Sequence, residues 1–189
     1  MYEIFLITAF SIILLYFVAR KIWKKDLTGE LIIGFALGFF WEVLTNGSWN
    51  YDTTRMITFY IGRAEIPLEI LMGWALVLAA SILATGIIQK RFNWHGKLSF
   101  FVVGMISIFV LGFATEIIGV NTNLWTYPDN RGVYEFGSFL FPSRVIGGWF
   151  YFGILFLTTI KYYEHVLEKN LEGDLTNLTK RFAYRKRRR

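Results

Sequence analysis

Four ionisable side chains interrupt segments that are otherwise apolar: Glu42, Glu69, Glu116 and Arg144. An ionisable group within a membrane span costs about 2.5–3.5 kcal/mol on insertion scales, so each is a candidate for function. Glu42 and Glu116 stand among aromatic and aliphatic residues, which disfavour a charged carboxylate. A carboxyl group that stays protonated can donate its proton to a carbon–carbon double bond, and nearby aromatic rings can stabilise the resulting carbocation. The alternative is structural: each glutamate caps a backbone carbonyl or a loop amide.

The surroundings of Glu42 and Glu116 are similar in sequence. LGFFWE ends at Glu42 and LGFATE ends at Glu116. Further landmarks recur in order at offsets of 75 or 76 residues: Trp49 and Trp125, Tyr51 and Tyr127, Gly62 and Gly137, Pro67 and Pro142, and Trp74 and Trp149. Ordered landmarks at a fixed period predict an internal repeat. We therefore expect two helix–loop–helix units, about residues 28–88 and 98–163, that are parallel repeats around a pseudo-twofold axis and share a site at their interface.

The repeat makes Glu69 and Arg144 equivalent, because they are 75 residues apart. Each is expected in the first turn of its helix, where the helix dipole favours the glutamate and disfavours the arginine. The sequence therefore predicts an ion pair between them across the axis. Two alternatives stay open, a purely structural clamp between the repeats and an Arg144 side chain that reaches up to water.

The apolar blocks must supply helices that position these groups. A membrane span needs about 20 apolar residues, and four blocks approach or meet that length: Tyr2–Ala19, Ile66–Ile88, Leu98–Gly119 and Pro142–Tyr162. A fifth, Leu31–Leu44, becomes long enough if its helix runs from Thr28 to Asn46, with Asp26 or Thr28 as cap and Gly47 as terminator. The sequence predicts an all-α integral membrane protein with five transmembrane helices in one domain, residues 1–163. Its first helix stands outside the repeat.

Basic residues are unevenly distributed. Of the 20 Lys and Arg residues, 16 follow the first helix, join the third and fourth helices or lie in the tail. Cytoplasmic segments collect such residues, so we expect an outside N-terminus and a cytoplasmic C-terminus at the cell membrane. In the tail, residues 164–189, apolar residues recur every three or four positions, which predicts an amphipathic helix. Its RKRRR end either binds anionic lipid headgroups or only fixes the orientation, and nucleic acid is not expected as a partner.

Several kinds of chemistry are poorly supplied. The chain has no cysteine, which excludes disulfides, thiolate catalysis and cysteine-ligated metal centres. Its two histidines, His95 and His165, fall on the predicted inner side and far from the carboxyl groups, so no metal site is expected. The sequence has neither a glycine-rich nucleotide loop nor a serine–histidine arrangement typical of hydrolases. We expect a site without metal or cofactor.

The two predicted outer loops, residues 46–65 and 121–141, are rich in aromatic side chains. Aromatic residues often form a belt at the membrane interface. The repeated W-x-Y spacing favours a lid over the helix ends, because a belt does not require fixed spacing. Loops and helices together supply the candidate substrate-binding residues: Trp41, Trp49, Tyr51, Tyr60, Trp74, Trp125, Tyr127 and Trp149.

The first unit reads W-E-V-L-T from Trp41, W-N-Y from Trp49, then Tyr60, Gly62 and P-L-E from Pro67. It resembles the lycopene cyclase domain of the membrane-embedded, non-flavin carotenoid cyclases, in which a tryptophan–acid pair precedes a W-x-[FY] loop, a glycine and a P-x-E-E motif. These proteins occur as paired small subunits or as fusions of two such domains. The resemblance covers about residues 37–74, whereas the second unit matches only in its skeleton: Glu116, Trp125, Tyr127, Gly137 and Pro142. Two positions depart from the family. Ile70 replaces the second acid of the P-x-E-E motif, and Arg144 stands where the second unit would carry the first acid of that motif.

The resemblance implies a redox-neutral cyclisation without a cofactor. An acid protonates the terminal double bond of a polyene or prenyl chain, the chain closes on the carbocation, and a base removes a proton. By this resemblance Glu42 and Glu69 match the family's acidic positions, and Glu116 joins them through the repeat. Glu42 or Glu116 would then be the proton donor, and Glu69, held by Arg144, the orienting anion or proton acceptor.

Two other functional classes stay open, a membrane protein that binds or transports a small molecule or lipid, and a non-catalytic membrane subunit. A long apolar cavity that opens to lipid favours the cyclase. A compact polar chamber favours a binding protein, and a site without a cavity favours the subunit. Whether the chain forms a homo-oligomer also stays open.

Overall fold

The computed structural model describes residues 2–45, 47–94, 96–128, 132–143 and 145–186, with side chains described through residue 167 and at residue 169. Its helices are α1 Glu3–Ile22, α2 Thr28–Leu44, α3 Leu68–Phe92, α4 Lys97–Asn121 and α5 Val145–Lys186, with a 3₁₀ turn at Thr53–Arg55. Within this described part, four helical segments are long and apolar enough to cross a membrane: Glu3–Ile22, Leu68–Phe92, Lys97–Asn121 and Val145–Leu167. The predominantly helical fold is therefore confirmed, and these four helices are consistent with a membrane protein.

Helix α2 corresponds to the short apolar block Leu31–Leu44, and it is shorter than the helix predicted there. It has 17 residues and ends at Leu44, two residues before the predicted end at Asn46, which lies outside the described residues. At 1.5 Å per residue it is about 26 Å long, which is less than the roughly 30 Å of a hydrocarbon core. The cap was predicted at Asp26 or Thr28, but the N-cap residue is Leu27; Asp26, one residue earlier, accepts hydrogen bonds from the backbone N–H and the hydroxyl of Thr28. Gly47 follows its end with a φ of +84°.

The loops contain β-structure that the all-α prediction did not include. The strands are β1 Asn50–Tyr51, β2 Thr58–Ile61, β3 Ala64–Pro67, β4 Trp125–Thr126, β5 Val133–Phe136 and β6 Phe139–Pro142. Strands β2 and β3 form one antiparallel hairpin, and β5 and β6 form another. Both have two-residue turns that begin with a glycine, Gly62 at φ +61° and Gly137 at φ +64°. Such turns favour glycine because they require a positive φ, and the equivalent glycines follow from the repeated sequence.

Close contacts between glycines and tryptophans hold neighbouring helices together. A Cβ on Gly38 of α2 would lie 2.6 Å from Trp74 of α3, and one on Gly112 of α4 would lie 2.4 Å from Trp149 of α5. The absence of a side chain at each glycine therefore lets an indole ring pack flat against the facing helix. These contacts fix two tryptophans in the centre of the fold.

Replacing Gly38 with alanine should destabilise the protein, because the new methyl group overlaps the Trp74 ring. Overpacking of this kind costs about 1–3 kcal/mol, and thermal unfolding in mild detergent would measure it. Gly86→Ala is the matched control in α3, since a Cβ there meets nothing within 4 Å. Equal melting temperatures for the two variants would contradict the proposed packing.

Helix α1 packs against α3 near its C-terminal end. Ala19, Leu27, Ala79 and Leu83 form a buried cluster at this contact. Beside it, Lys25 pairs with the buried Glu30 over 3.2 Å. Seven apolar side chains along α1 are exposed, as expected of a helix that faces lipid: Leu6, Ile7, Phe10, Ile13, Leu14, Phe17 and Ile22.

The chain forms two compact units, Met1–Leu157 and Thr158–Arg189. The predicted boundary lies at residues 163 and 164, whereas α5 continues through both positions without interruption. In the second unit Lys161 pairs with Glu164 over 2.6 Å. The apolar face predicted for the tail lies mostly on side chains outside the described set.

Candidate active site

Glu42 is held by two aromatic donors. It lies near the end of α2 and is 4% exposed. The Trp74 indole N–H of α3 donates to Oε1 over 2.8 Å. The Tyr51 hydroxyl of β1 donates to Oε2 over 2.5 Å. Both contacts bring the carboxyl group to the point where the first loop meets the helices.

Glu116 is held in the corresponding way by the second half of the chain. It lies in α4 and is 5% exposed. Trp149 donates to Oε1 over 3.3 Å, and Tyr127 donates to Oε2 over 2.6 Å. Trp125 adds a third donor to Oε2 over 3.1 Å. Among the described residues, Glu116 therefore accepts one more hydrogen bond than Glu42.

These partners restrict where a proton can reside. An indole N–H only donates, so Oε1 of each glutamate remains an acceptor. A tyrosine hydroxyl can donate or accept, so a proton on Oε2 can point to the tyrosine oxygen and keep the short contact. Among the described residues, side-chain donors rather than a backbone cap bind these two glutamates. Each carboxyl group can thus hold one proton at a defined oxygen.

The two tyrosines keep their own protons at neutral pH. Burial raises the pKa of the Tyr51 and Tyr127 hydroxyls, and the adjacent carboxyl groups raise it further. Both hydroxyls therefore remain available as donors to Glu42 and Glu116.

The two loops meet directly above the carboxyl groups. Strands β1 and β4 pair antiparallel, with Asn50 opposite Thr126 and Tyr51 opposite Trp125. The rings of Tyr51 and Trp125 lie 6.5 Å apart, centroid to centroid. The same separation of 6.5 Å joins the Trp49 and Tyr127 rings. Because Tyr51, Trp125 and Tyr127 donate to the buried carboxyl groups, the paired loops have the arrangement expected of a lid.

A cavity of about 490 Å³ lies below this lid, between α1, α3 and α4. Glu42, Glu69 and Glu116 all border it, together with Arg55 and a mostly apolar wall. Its volume falls within the usual range of small-molecule sites, about 300–1,000 Å³. Its lining residues Ile7 and Ile118 are 67% and 58% exposed, so the cavity reaches the apolar outer surface between α1 and α4.

Glu69 binds the backbone of the first loop. Its two carboxyl oxygens each accept a hydrogen bond from the Ile57 backbone N–H, both at 3.0 Å. The Leu68 N–H donates to the Ile57 carbonyl beside it over 2.8 Å. Glu69 therefore ties the start of β2 to the start of α3. Its predicted partner Arg144 lies outside the described residues, so the ion pair stays a prediction.

We expect Glu69→Gln to loosen the first loop without unfolding the helices. The glutamine amide cannot accept from Ile57 with both of its terminal atoms, and a buried hydrogen bond to a charged group contributes about 1.5–3 kcal/mol. Hydrogen–deuterium exchange should therefore quicken at residues 52–60, while exchange in α3 stays slow. Unchanged protection of the Ile57 amide would contradict this role.

The predicted substrate-binding residues divide between two cavities. Trp49, Tyr51, Trp74, Trp125 and Trp149 line the larger one. The other three predicted residues, Trp41, Tyr60 and Tyr127, do not line this cavity.

Trp41 and Tyr127 line a second cavity of about 140 Å³, which Trp49, Trp74 and Trp149 also border. Tyr60 lines neither cavity. It is 70% exposed on β2 and donates to Glu65, so its prediction as a substrate-binding residue stays a prediction.

Several residues of the site were missed by sequence reasoning. Arg55 lines the larger cavity and donates to the Thr122 carbonyl over 3.3 Å, which links the first loop to α4. Thr115 and Gly73 also line it. The internal repeat is the only sequence signal for Thr115 and Gly73, which correspond to Trp41 and Gly148.

Neither a family model nor a curated protein nor a solved structure matches the chain. No group of three or more residues that would hold a metal ion occurs in the part of the chain that the structure describes. The function must therefore be argued from the geometry of the two carboxyl groups and the cavity.

Proposed function

We propose that the protein is a membrane-embedded cyclase that closes a ring at the end of a polyene or prenyl chain, as lycopene cyclases do. One observation carries the proposal: two buried carboxyl groups, each oriented by a tyrosine and by tryptophan, face one largely apolar cavity. This combination supplies a proton donor, a proton acceptor and aromatic walls without a cofactor.

Glu42 is the proton donor in this proposal, and Glu116 is the acceptor. Each donor to a carboxylate stabilises its ionised form. Glu116 accepts three hydrogen bonds from described residues and Glu42 accepts two. Glu42 is therefore the carboxyl group that more readily carries a proton at the start of the cycle, and Glu116 is the one that is more readily ionised.

The reaction balances without any redox change. The Glu42 proton adds to one carbon of the terminal double bond and leaves a carbocation on the other. A second double bond of the same chain attacks that carbon and closes the ring. Glu116 then removes a proton from the ring carbon next to the new cation, which restores a double bond. Proton return from Glu116 to Glu42 completes the cycle.

The aromatic walls favour the cationic intermediate. Trp74 and Trp149 both line the cavity, with ring centroids 4.6 Å apart. Tryptophan is the aromatic side chain that attracts a cation most strongly, by about 2 kcal/mol or more in a desolvated site. The cavity is large enough for one end of a long chain, and its edge at Ile7 and Ile118 lets the remainder extend into lipid.

We also propose that α2 crosses the membrane as a fifth span and that the two halves are parallel repeats. The paired glutamate sites, the glycine–tryptophan contacts and the hairpin turns all support this, since equivalent residues make equivalent contacts. The clustering of basic residues supports a cytoplasmic C-terminus, with the tail at anionic headgroups.

A non-catalytic binding protein is the second candidate. It is favoured by the side-chain donors that already satisfy both carboxyl groups, because a satisfied carboxyl group also suits a fixed binding wall. Lipid-soluble molecules that co-purify unchanged with the protein would support this candidate.

Co-expression with a lycopene-producing pathway tests the cyclase. We expect a new pigment with a closed end ring and the same mass as its precursor, separated by chromatography. An unchanged pigment profile, with the protein present in the membrane, would count against carotenoid cyclisation. Shorter prenyl chains would then be supplied to the purified protein to test the reaction class itself.

A further inference from the structure

The two cavities have equivalent walls. Each of the ten residues that line the smaller cavity has a counterpart 74 to 76 positions away in the lining of the larger one. Examples are Thr45 and Gly119, and Val145 and Ile70. Trp74 and Trp149 border both cavities and are each other's counterparts. The protein therefore has two related grooves, one on each side of this tryptophan pair.

One pair of counterparts differs most in size. Trp41 lines the smaller groove, and Thr115 stands at the equivalent position in the larger one. The Trp41 indole packs edge-on against Phe152 of α5, with centroids 5.4 Å apart. It thus lies between α2 and α5 and fills the space that Thr115 leaves open in the other groove.

The glycines opposite these residues show the same contrast. A Cβ on Gly148 would meet the Trp41 ring at 3.6 Å. A Cβ on its counterpart Gly73 would meet nothing within 4 Å. The larger groove is therefore empty at the point where the smaller one is occupied by an indole.

We infer that the smaller groove is a second binding site of the same kind, closed by Trp41, and that Trp41 and Thr115 together decide which groove admits a ligand. The ligand class, an apolar chain with an unsaturated end, rests on the proposed function. The closure by Trp41 does not rest on it. Glu116 borders both grooves, so an opened second site would present the chain to a carboxyl group as well.

Trp41→Leu and Trp41→Thr test this inference. All-trans-retinol serves as the probe, and native mass spectrometry of the full chain in detergent counts its bound copies. Each variant should bind one copy more than the wild-type protein. Two substitutions address folding, because leucine retains more of the packing against Phe152 than threonine does. Equal counts in the wild-type protein and a folded variant would overturn the inference.

Blocking the larger groove provides the matched control. Gly73→Leu places a side chain in its empty space and should lower the wild-type count by one copy. Trp41→Leu combined with Gly73→Leu should then retain one copy, bound in the second groove. Loss of all binding in this double variant would overturn the inference. It would not contradict binding of the probe in the larger groove of the wild-type protein. Failure of the proposed cyclase gives a different pattern, in which these copy numbers hold and no ring forms.

Discussion

Glu42→Gln is expected to abolish ring closure while leaving the fold intact. The glutamine can place its carbonyl oxygen opposite Trp74 and its amide NH₂ opposite the Tyr51 oxygen, so both contacts persist. The only loss is the transferable proton. General acid catalysis contributes about 10²–10⁴-fold in rate, and product formation in a co-expression strain or with purified protein would measure the loss.

Glu116→Gln should behave differently, because its partners cannot adapt. Trp149 donates to one carboxyl oxygen and Trp125 to the other. Either orientation of the glutamine amide turns its NH₂ group toward an indole N–H, which cannot accept. An unsatisfied buried donor costs about 1–3 kcal/mol, so this variant should lose stability as well as activity.

Glu135→Gln serves as the control for both variants, since Glu135 is an exposed residue of β5. It should retain activity and melting temperature. A Glu42→Gln protein that forms product at the wild-type rate would rule out Glu42 as the proton donor, and equal melting temperatures for Glu42→Gln and Glu116→Gln would contradict the assigned indole contacts.

The sequence singled out three glutamates because burial of a charge is expensive in any fold. Glu42, Glu69 and Glu116 stand out in apolar segments, and the structure brings all three to one cavity. The sequence could not predict their partners. Glu42 lies 32 residues before Trp74, and only the close approach at Gly38 brings the Trp74 indole to it.

The repeated motifs predicted equivalent positions but not their different roles. The ion pair expected for Glu69 stays a prediction, but the sequence did not predict that Glu69 also accepts from the backbone N–H of Ile57, just before the β2–β3 hairpin. Strands as short as β2 and β3 show little alternation of apolar and polar residues, so the sequence predicted a loop there. The same hairpin leaves the Tyr60 side chain exposed, which the sequence did not predict.

The helices were predicted more accurately than the loops, since long apolar runs require helices in lipid. Helix α2 shows the limit of that reasoning. Its apolar residues predicted where it lies, but its C-terminal end falls at Leu44, before the predicted Asn46.

The protein should lose stability steeply above pH 10, because Tyr51 and Tyr127 remain protonated only in the folded state. Burial beside the carboxyl groups raises the pKa of both hydroxyls above the ordinary value of 10.0. Below pH 10 both tyrosines are protonated in the folded and unfolded chains, so their contribution is fully present. Above pH 10 the unfolded chain releases these protons and the folded chain keeps them, which favours unfolding by about 1.4 kcal/mol per pH unit for each tyrosine.

Melting temperatures in mild detergent between pH 8 and pH 11 would measure this effect. Tyr51→Phe combined with Tyr127→Phe should melt lower than wild type at pH 8, because each substitution removes a hydrogen bond to a buried carboxyl group, but its stability should fall less above pH 10. Tyr134→Phe is the control, since Tyr134 is 59% exposed on the β5–β6 hairpin, and it should follow the wild-type curve. If the double variant lost stability as steeply as the wild-type protein, the two hydroxyls could not be the protonated donors that orient Glu42 and Glu116. The protons in these two hydrogen bonds would then have to be assigned to other groups.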